Sequence, residues 1–135
     1  VGGHDHLMPF VQQLTNAGVR VSLFIEPDIK QLDAAKSLGA PVVELHVGAY
    51  CDASGDQRES HLKRIIKAAA HAEAIGLECH AGHGLTYDAV GPIAAIETIV
   101  ELNIGHFLIG EAIFSGLEAS IRGMRDRMDA ARKDA

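Results

Sequence analysis

Three short stretches bring together residue types that can move protons and hold anions. Glu44 interrupts the apolar run Val42-Val43-Glu44-Leu45. Strand periodicity places Val42, Glu44 and His46 on one side, and an uncompensated carboxylate does not belong in a packed interior. It is expected to reach a polar pocket, where it could position an amine, stabilise a developing cation or relay a proton. A structural salt bridge or a solvent-facing edge position is the plainer reading. His83 lies in His80-Ala81-Gly82-His83-Gly84, between glycines that permit a tight turn and close ligand approach. Its imidazole can donate or accept a proton near neutral pH, or it could simply cap the loop. Gly84, Gly105 and His106 offer backbone amides at a turn and at a short helix start, where an anion such as phosphate is favoured. Ordinary capping explains them otherwise.

Other candidates carry weaker signals. His46 and His80, with Glu44 and His83, hold enough nitrogen and oxygen for a metal, but no compact ligand motif is visible. Asn103 is a candidate for the ligand shell or for satisfying nearby backbone. Glu26, followed by Pro27, is read either as a strand-end residue or as a helix cap. His4 and His6 form a helix-start cluster, while His61 and His71 fit a helix surface. The two cysteines, Cys51 and Cys79, make no disulfide scaffold and are expected to be inert thiols.

The elements that must position these groups form a repeated strand–helix series. Helix His4 to Asn16 carries Leu7, Phe10, Val11 and Leu14 on one face, with Asp5 in its first turn. Strand Val19 to Ile25 is apolar enough to suggest burial on both sides. A helix beginning near Pro27 presents Ile29, Leu32, Ala35 and Leu38. Pro41 to Val47 is the second strand, and Gly48 to Gly55 is a loop. A helix from Gln57 to Ile75 presents Leu62, Ile65, Ile66, Ala69 and Ala72. Leu77 to Ala81 and Glu101 to Ile104 are the third and fourth strands, separated by a helix from Thr86 to Ile96. A short helix, Phe107 to Phe114, and a last amphipathic one reaching Ala131 complete the series. Gly18, Gly39 and Gly76 each follow a helix and immediately precede a strand, as left-handed helix terminators do.

Short crossovers favour a parallel sheet. The fold class is α/β. An open doubly wound sheet suits the length, but polar residues at successive strand ends, with an extra short helix after the fourth, suit the upper face of a (β/α)8 TIM barrel. Such a barrel needs about 250 residues, so 135 residues supply roughly half, about four βα units. A start at Val1 rather than methionine is expected of a fragment. The net charge is −6, and Arg122, Arg125, Arg127, Arg132 and Lys133 alternate with Asp126, Asp129 and Asp134 as on a solvated helix face. Neither a nucleic-acid surface nor a membrane segment is expected, and cytoplasmic localisation is the default.

Several of these stretches resemble pyridoxine 5'-phosphate synthases. Val21-Ser22-Leu23-Phe24-Ile25 is similar to the family's fifth barrel strand, and Glu44-Leu45-His46-Val47-Gly48 to its next strand end. Ala81-Gly82-His83-Gly84-Leu85-Thr86-Tyr87 is the most specific match, and Glu101-Leu102-Asn103-Ile104-Gly105-His106 follows in order. The resemblance covers nearly the whole chain. It implies the carboxyl-terminal half of a barrel enzyme that condenses 3-amino-2-oxopropyl phosphate with 1-deoxy-D-xylulose 5-phosphate, giving pyridoxine 5'-phosphate, inorganic phosphate and water. It further implies that His83 transfers protons, that Glu44 stabilises the transition state, and that Gly84, Gly105 and His106 contact the aminoketone phosphate. No nicotinamide cofactor or transition metal is called for. The implied partners are the amino-terminal half of the same barrel, which carries another acidic base, a histidine and basic contacts, and further copies in a homo-oligomer, often an octamer. The alternatives are another sugar-phosphate isomerase or aldolase of the phosphate-binding barrel type, and a noncatalytic phosphate-binding half-barrel module. A Schiff-base aldolase needs a lysine at a strand end, and none of the four strands ends in one.

Overall fold

A computed structural model describes residues 2–133. Val1 and Asp134, part of the expectations above, lie outside the described residues. The elements run α1 (His4–Asn16), β1 (Ser22–Ile25), α2 (Ile29–Ser37), β2 (Val42–His46), α3 (Gly48–Asp52), α4 (Gly55–Ala74), β3 (Glu78–Gly82), α5 (Tyr87–Ala94), β4 (Ile99–Asn103), α6 (His106–Ser115) and α7 (Leu117–Lys133). The strands form one parallel sheet in the order β1-β2-β3-β4. Sequential parallel order with a helix at each crossover matches a (β/α)4 half of a TIM barrel.

Alternation along the strands divides the sheet into two unlike faces. Val43, Leu45, Cys79, Ala81 and Ile99 are buried in a core with Leu32 and Ala35 of α2, Ile65, Ala68, Ala69 and Ala72 of α4, and Ala89 and Ile93 of α5. The alanines keep α4 close to the sheet, and each fully buried aliphatic side chain such as Leu45 or Ile65 contributes about 1.5–3 kcal/mol. Asp28 starts α2, accepting from the amides of Lys30 and Gln31. Gly18, Gly39 and Gly76 close their helices with φ of 79°, 84° and 71°, as their positions in the sequence predict.

The opposite face is polar. Arg20 pairs with Glu78, and His80 contacts Glu78 at 2.7 Å and Glu101 at 3.3 Å. These groups satisfy one another around Val42, which is buried on this face. The Arg20 guanidinium, and secondly His80, hold the Glu78 carboxyl below the usual carboxylate range.

A β-bulge keeps the two faces distinct in β4. Cys79 pairs with Ile99, but His80 pairs with Glu101, leaving Val100 as the extra residue. Ile99 and Leu102 are three apart and both serve the core. Strict alternation cannot accommodate that spacing, and the bulge absorbs the odd residue.

Several sequence expectations are corrected. The stretch Gly48 to Gly55 is not simply a loop, because Gly48–Asp52 forms α3 with Tyr50 buried. β1 is not buried on both sides: Ser22 and Phe24 are exposed on the polar face. The strand also begins at Ser22 rather than Val19. β4 begins at Ile99 rather than Glu101, since the bulge extends pairing backward. On α1 only Val11 is buried, while Leu7, Phe10 and Leu14 remain exposed. On α4, Ile66 falls outside the buried stripe.

β1 and β4 each pair along one side only, so each presents unpaired backbone groups, a template for association. The 135-residue chain on its own is therefore expected to aggregate, or to require a complementary set of strands. Size-exclusion chromatography with amide hydrogen exchange checks this. A monodisperse monomer whose β1 and β4 amides are as protected as those of β2 would contradict it.

Candidate active site

β2, β3 and β4 end in His46, Gly82 and Asn103, and the chain turns away from each at the same edge of the sheet. A cleft of about 590 Å³ opens there. Its lining includes Glu44, His83, Gly84, Gly105 and His106, so all five residues singled out from the sequence are brought to one site. Phe24, Leu85, Thr86, Asn103, Ile104 and Phe107 complete the wall.

His83 occupies an unusual backbone conformation, with φ of 76°. A non-glycine residue there is uncommon and costs of order 1–3 kcal/mol, and such strain concentrates at functional sites. The helix that follows the turn is tied to its neighbours. Tyr50 of α3 donates its hydroxyl to the Ala89 carbonyl of α5 at 3.1 Å, and Arg58 of α4 reaches the Asp88 carbonyl. The His83 ring sits 4.6 Å from the His46 ring and 6.4 Å from that of Phe24. His46 approaches Glu26 at 3.1 Å, out of line for a hydrogen bond, while Glu26 is paired with Arg64 at 2.8 Å. Glu26 is thus an ion-pair residue, and Asp28 supplies the cap.

Glu44 projects onto the polar face and accepts a hydrogen bond from Asn103 Nδ2 at 3.0 Å. His83 is exposed and Glu44 half-buried. The site therefore offers an accessible imidazole and a restrained carboxylate on one cleft, a pairing that suits proton transfer beside a developing positive charge. Gly105 precedes α6, whose first residue is His106, and no side chain caps that helix end. The first-turn amides and the helix dipole favour an anion there.

The glycines differ in what they provide. Gly84 has φ of 83°, and a Cβ on it would lie 3.1 Å from the Cβ of Cys51. Gly105 has φ of −115°, and a Cβ there would meet nothing within 4 Å. Gly105 therefore meets no steric or conformational demand for glycine, and open access is what it contributes. The sequence reading passed over Gly48, where a Cβ would come within 2.9 Å of His46 Cε1 and 3.0 Å of His83 Cδ2. Its signal was a glycine directly after a strand end bearing a candidate histidine. The wall residues Phe24 and Phe107 were also missed, because an aromatic in a strand or helix looks like core.

The metal reading gains no support from geometry. His80 turns to Glu78 and Glu101, and among the described residues no group of three His, Cys, Asp or Glu side chains has a geometry that could hold a metal ion. Burial pushes the Cys51 thiol up to about 11 and Cys79 up to about 12, which makes poor nucleophiles of both at neutral pH. Among the described residues no helix is long and apolar enough to cross a membrane.

Gly84→Ala is expected to lower stability by about 1–2 kcal/mol, through the left-handed backbone and the Cys51 contact. Gly105→Ala should change it by less than about 0.5 kcal/mol. Urea unfolding of both variants in the full-length protein measures the contrast, and equal losses would refute the assignment of backbone demand to Gly84 alone.

Residues 1–130 match the family described as "Pyridoxal phosphate biosynthesis protein PdxJ". Among curated proteins, the chain is 69% identical over 132 residues to the pyridoxine 5'-phosphate synthase of Rhodospirillum rubrum, covering 97% of this chain and 53% of that protein. It is 59% identical over 133 residues to the synthase of Zymomonas mobilis, with 98% and 52% covered. For that of Jannaschia sp. the identity is 55% over 135 residues, with 97% and 54% covered. The chain spans about half the length of the curated relatives it matches. With its half-barrel topology and its cleft at the strand ends, the chain belongs to the PdxJ family of pyridoxal phosphate biosynthesis proteins.

Proposed function

We propose that the protein to which this chain belongs is a pyridoxine 5'-phosphate synthase, and that these residues form the carboxyl-terminal half of its barrel. The observation that carries the reading is the gathering of Glu44, His83, Gly84, Gly105 and His106 on one cleft, in a chain 69% identical to a synthase of that name. The amino-terminal half closes the sheet against β1 and β4 and supplies the remaining catalytic groups. Whole barrels then associate as a homo-oligomer, for which exposed Ile109, Ile113 and Phe114 of α6 provide apolar surface.

In this reading the substrates are 3-amino-2-oxopropyl phosphate and 1-deoxy-D-xylulose 5-phosphate. The aminoketone phosphate anchors on the amides at Gly84 and at the start of α6, which holds its amine near Glu44 and His83. The amine attacks the ketone carbon to give a carbinolamine, and loss of water gives the imine. His83 carries protons between nitrogen, oxygen and solvent during these steps. Glu44 stabilises the positive nitrogen as the C–O bond breaks. Anchoring keeps the reacting carbons together for ring closure and lowers its entropic cost. Loss of inorganic phosphate and of water completes the aromatic ring.

The full-length protein is expected to form pyridoxine 5'-phosphate only when both substrates are supplied, as read by product mass spectrometry. Robust turnover of another sugar phosphate without this product would replace the reading with an isomerase or aldolase. Phosphate binding without turnover would favour a noncatalytic module.

His83→Asn should slow the chemical step by about 10²- to 10⁴-fold while aminoketone phosphate still binds. Pre-steady-state kinetics alongside direct binding measurements separates the two effects. Lost binding with an unchanged chemical rate in the bound state would show that His83 serves the anion site instead.

A further inference from the structure

We infer that Asn103 is the positioning residue for the Glu44 carboxylate, aimed by the bulge at Val100 and able to reach it because residue 82 is glycine. The inference deepens the reading in which Glu44 serves the condensation, and rests on it for the catalytic consequence.

Glu44 is on β2 and Asn103 on β4, with β3 between them. Neighbouring strands lie about 4.8 Å apart, so a contact across two intervals requires one side chain to pass over the middle strand. Gly82 pairs with His46 on one side and with Asn103 on the other, at the level where the crossing occurs. A Cβ on Gly82 would overlap Glu44 Oε1 and would lie 3.0 Å from the Asn103 carbonyl oxygen. The bare Cα therefore forms a slot. Any L side chain at position 82 would occupy the space that the carboxylate now fills.

The bulge does the aiming. Without the extra residue, continuing the Cys79–Ile99 pairing would set Gly82 opposite Leu102. The observed register instead sets Gly82 opposite Asn103, which places Asn103 on the polar face with Glu44. Bulges next to active sites commonly re-aim a side chain in this way.

The chemistry of the contact suits positioning. The acceptor is a carboxylate oxygen, so the amide must present its NH2 group, which donates at 3.0 Å. An amide fixes the direction of the carboxylate without cancelling its charge, as a lysine or arginine would. Among the described residues Asn103 is the one side chain that donates to Glu44. Asn103 is itself exposed at a strand end, where packing does not explain it.

The test uses full-length enzyme with Asn103→Asp, Asn103→Leu and Gly82→Ala, each alone, and Asn103→Leu also combined with Glu44→Ala. Each single variant should lower kcat by between about 10- and 100-fold. KM for the aminoketone phosphate should stay within about twofold, because the amides at Gly84 and α6 are untouched. In the Glu44→Ala background, Asn103→Leu should cause no further loss, since a residue acting through Glu44 has nothing left to position. The same loss in both backgrounds, or full kcat in both Asn103 variants, would overturn the inference. A crystal structure of Asn103→Asp or Asn103→Leu, whichever folds, gives a readout independent of the reaction. The Glu44 carboxylate should leave its place over Gly82, and a carboxylate that stays overturns the positioning role even in an active enzyme. If wild-type protein makes no pyridoxine phosphate, the functional reading fails, and the crystal structures still decide the contact.

Discussion

The strict separation of the two sheet faces is the constraint on which the rest of this structure depends. A strand side chain points to one face or the other, and slipping by one residue exchanges the faces. Leu23, Val43, Leu45, Cys79, Ala81, Ile99 and Leu102 meet the helices. Ser22, Phe24, Val42, Glu44, His46, His80, Gly82, Glu101 and Asn103 meet the opposite side, as the strand registers require. Moving Glu44 by one position would bury a carboxylate among Leu32, Ile65 and Ile93. Desolvation without a partner makes that arrangement untenable, so the stability of the core and the placement of the site are enforced by one register.

The polar face is organised in two levels along the strands. Toward the amino-terminal ends, Arg20, Glu78, His80 and Glu101 pair with one another in a local network. Toward the carboxyl-terminal ends, the groups line an open cleft: an imidazole in a strained turn, a carboxylate held from one side, and an uncapped helix start. The contrast follows from what each level must satisfy. The lower groups find their partners within the protein, whereas the upper amides and imidazole have hydrogen-bonding capacity directed into the cleft. The field at a helix start is local, so a dispersed net negative charge does not cancel its preference for an anion at short range.

Bare backbone is the second shared resource of the site. Gly48, Gly82 and Gly84 each lie where a Cβ would crowd a neighbour: His46 and His83, Glu44, and Cys51 respectively. Three close approaches within one loop cluster allow the two histidine rings, the carboxylate and the turn to share a small volume. The Tyr50–Ala89 and Arg58–Asp88 contacts hold α3, α4 and α5 around that cluster.

By itself the sequence determined the alternation of helix and strand, the glycine helix endings and the parallel sheet, and it singled out five residues that line the cleft. These rest on local periodicity and local backbone preference, which act between residues a few positions apart. The stretches around Glu44 and His83 also carried the family resemblance. Only the tertiary structure decided that Gly48–Asp52 is helical, because it packs against α4 and its buried Tyr50 bonds the Ala89 carbonyl of α5. Only the structure showed the bulge at Val100, whose cause is the need to match Ile99 and Leu102 to a core built by distant helices. The partnership of Asn103 with Glu44 was decided at the same level. It joins residues 59 positions apart, through a slot in an intervening strand, and no periodicity along the chain encodes a distance between side chains on different strands.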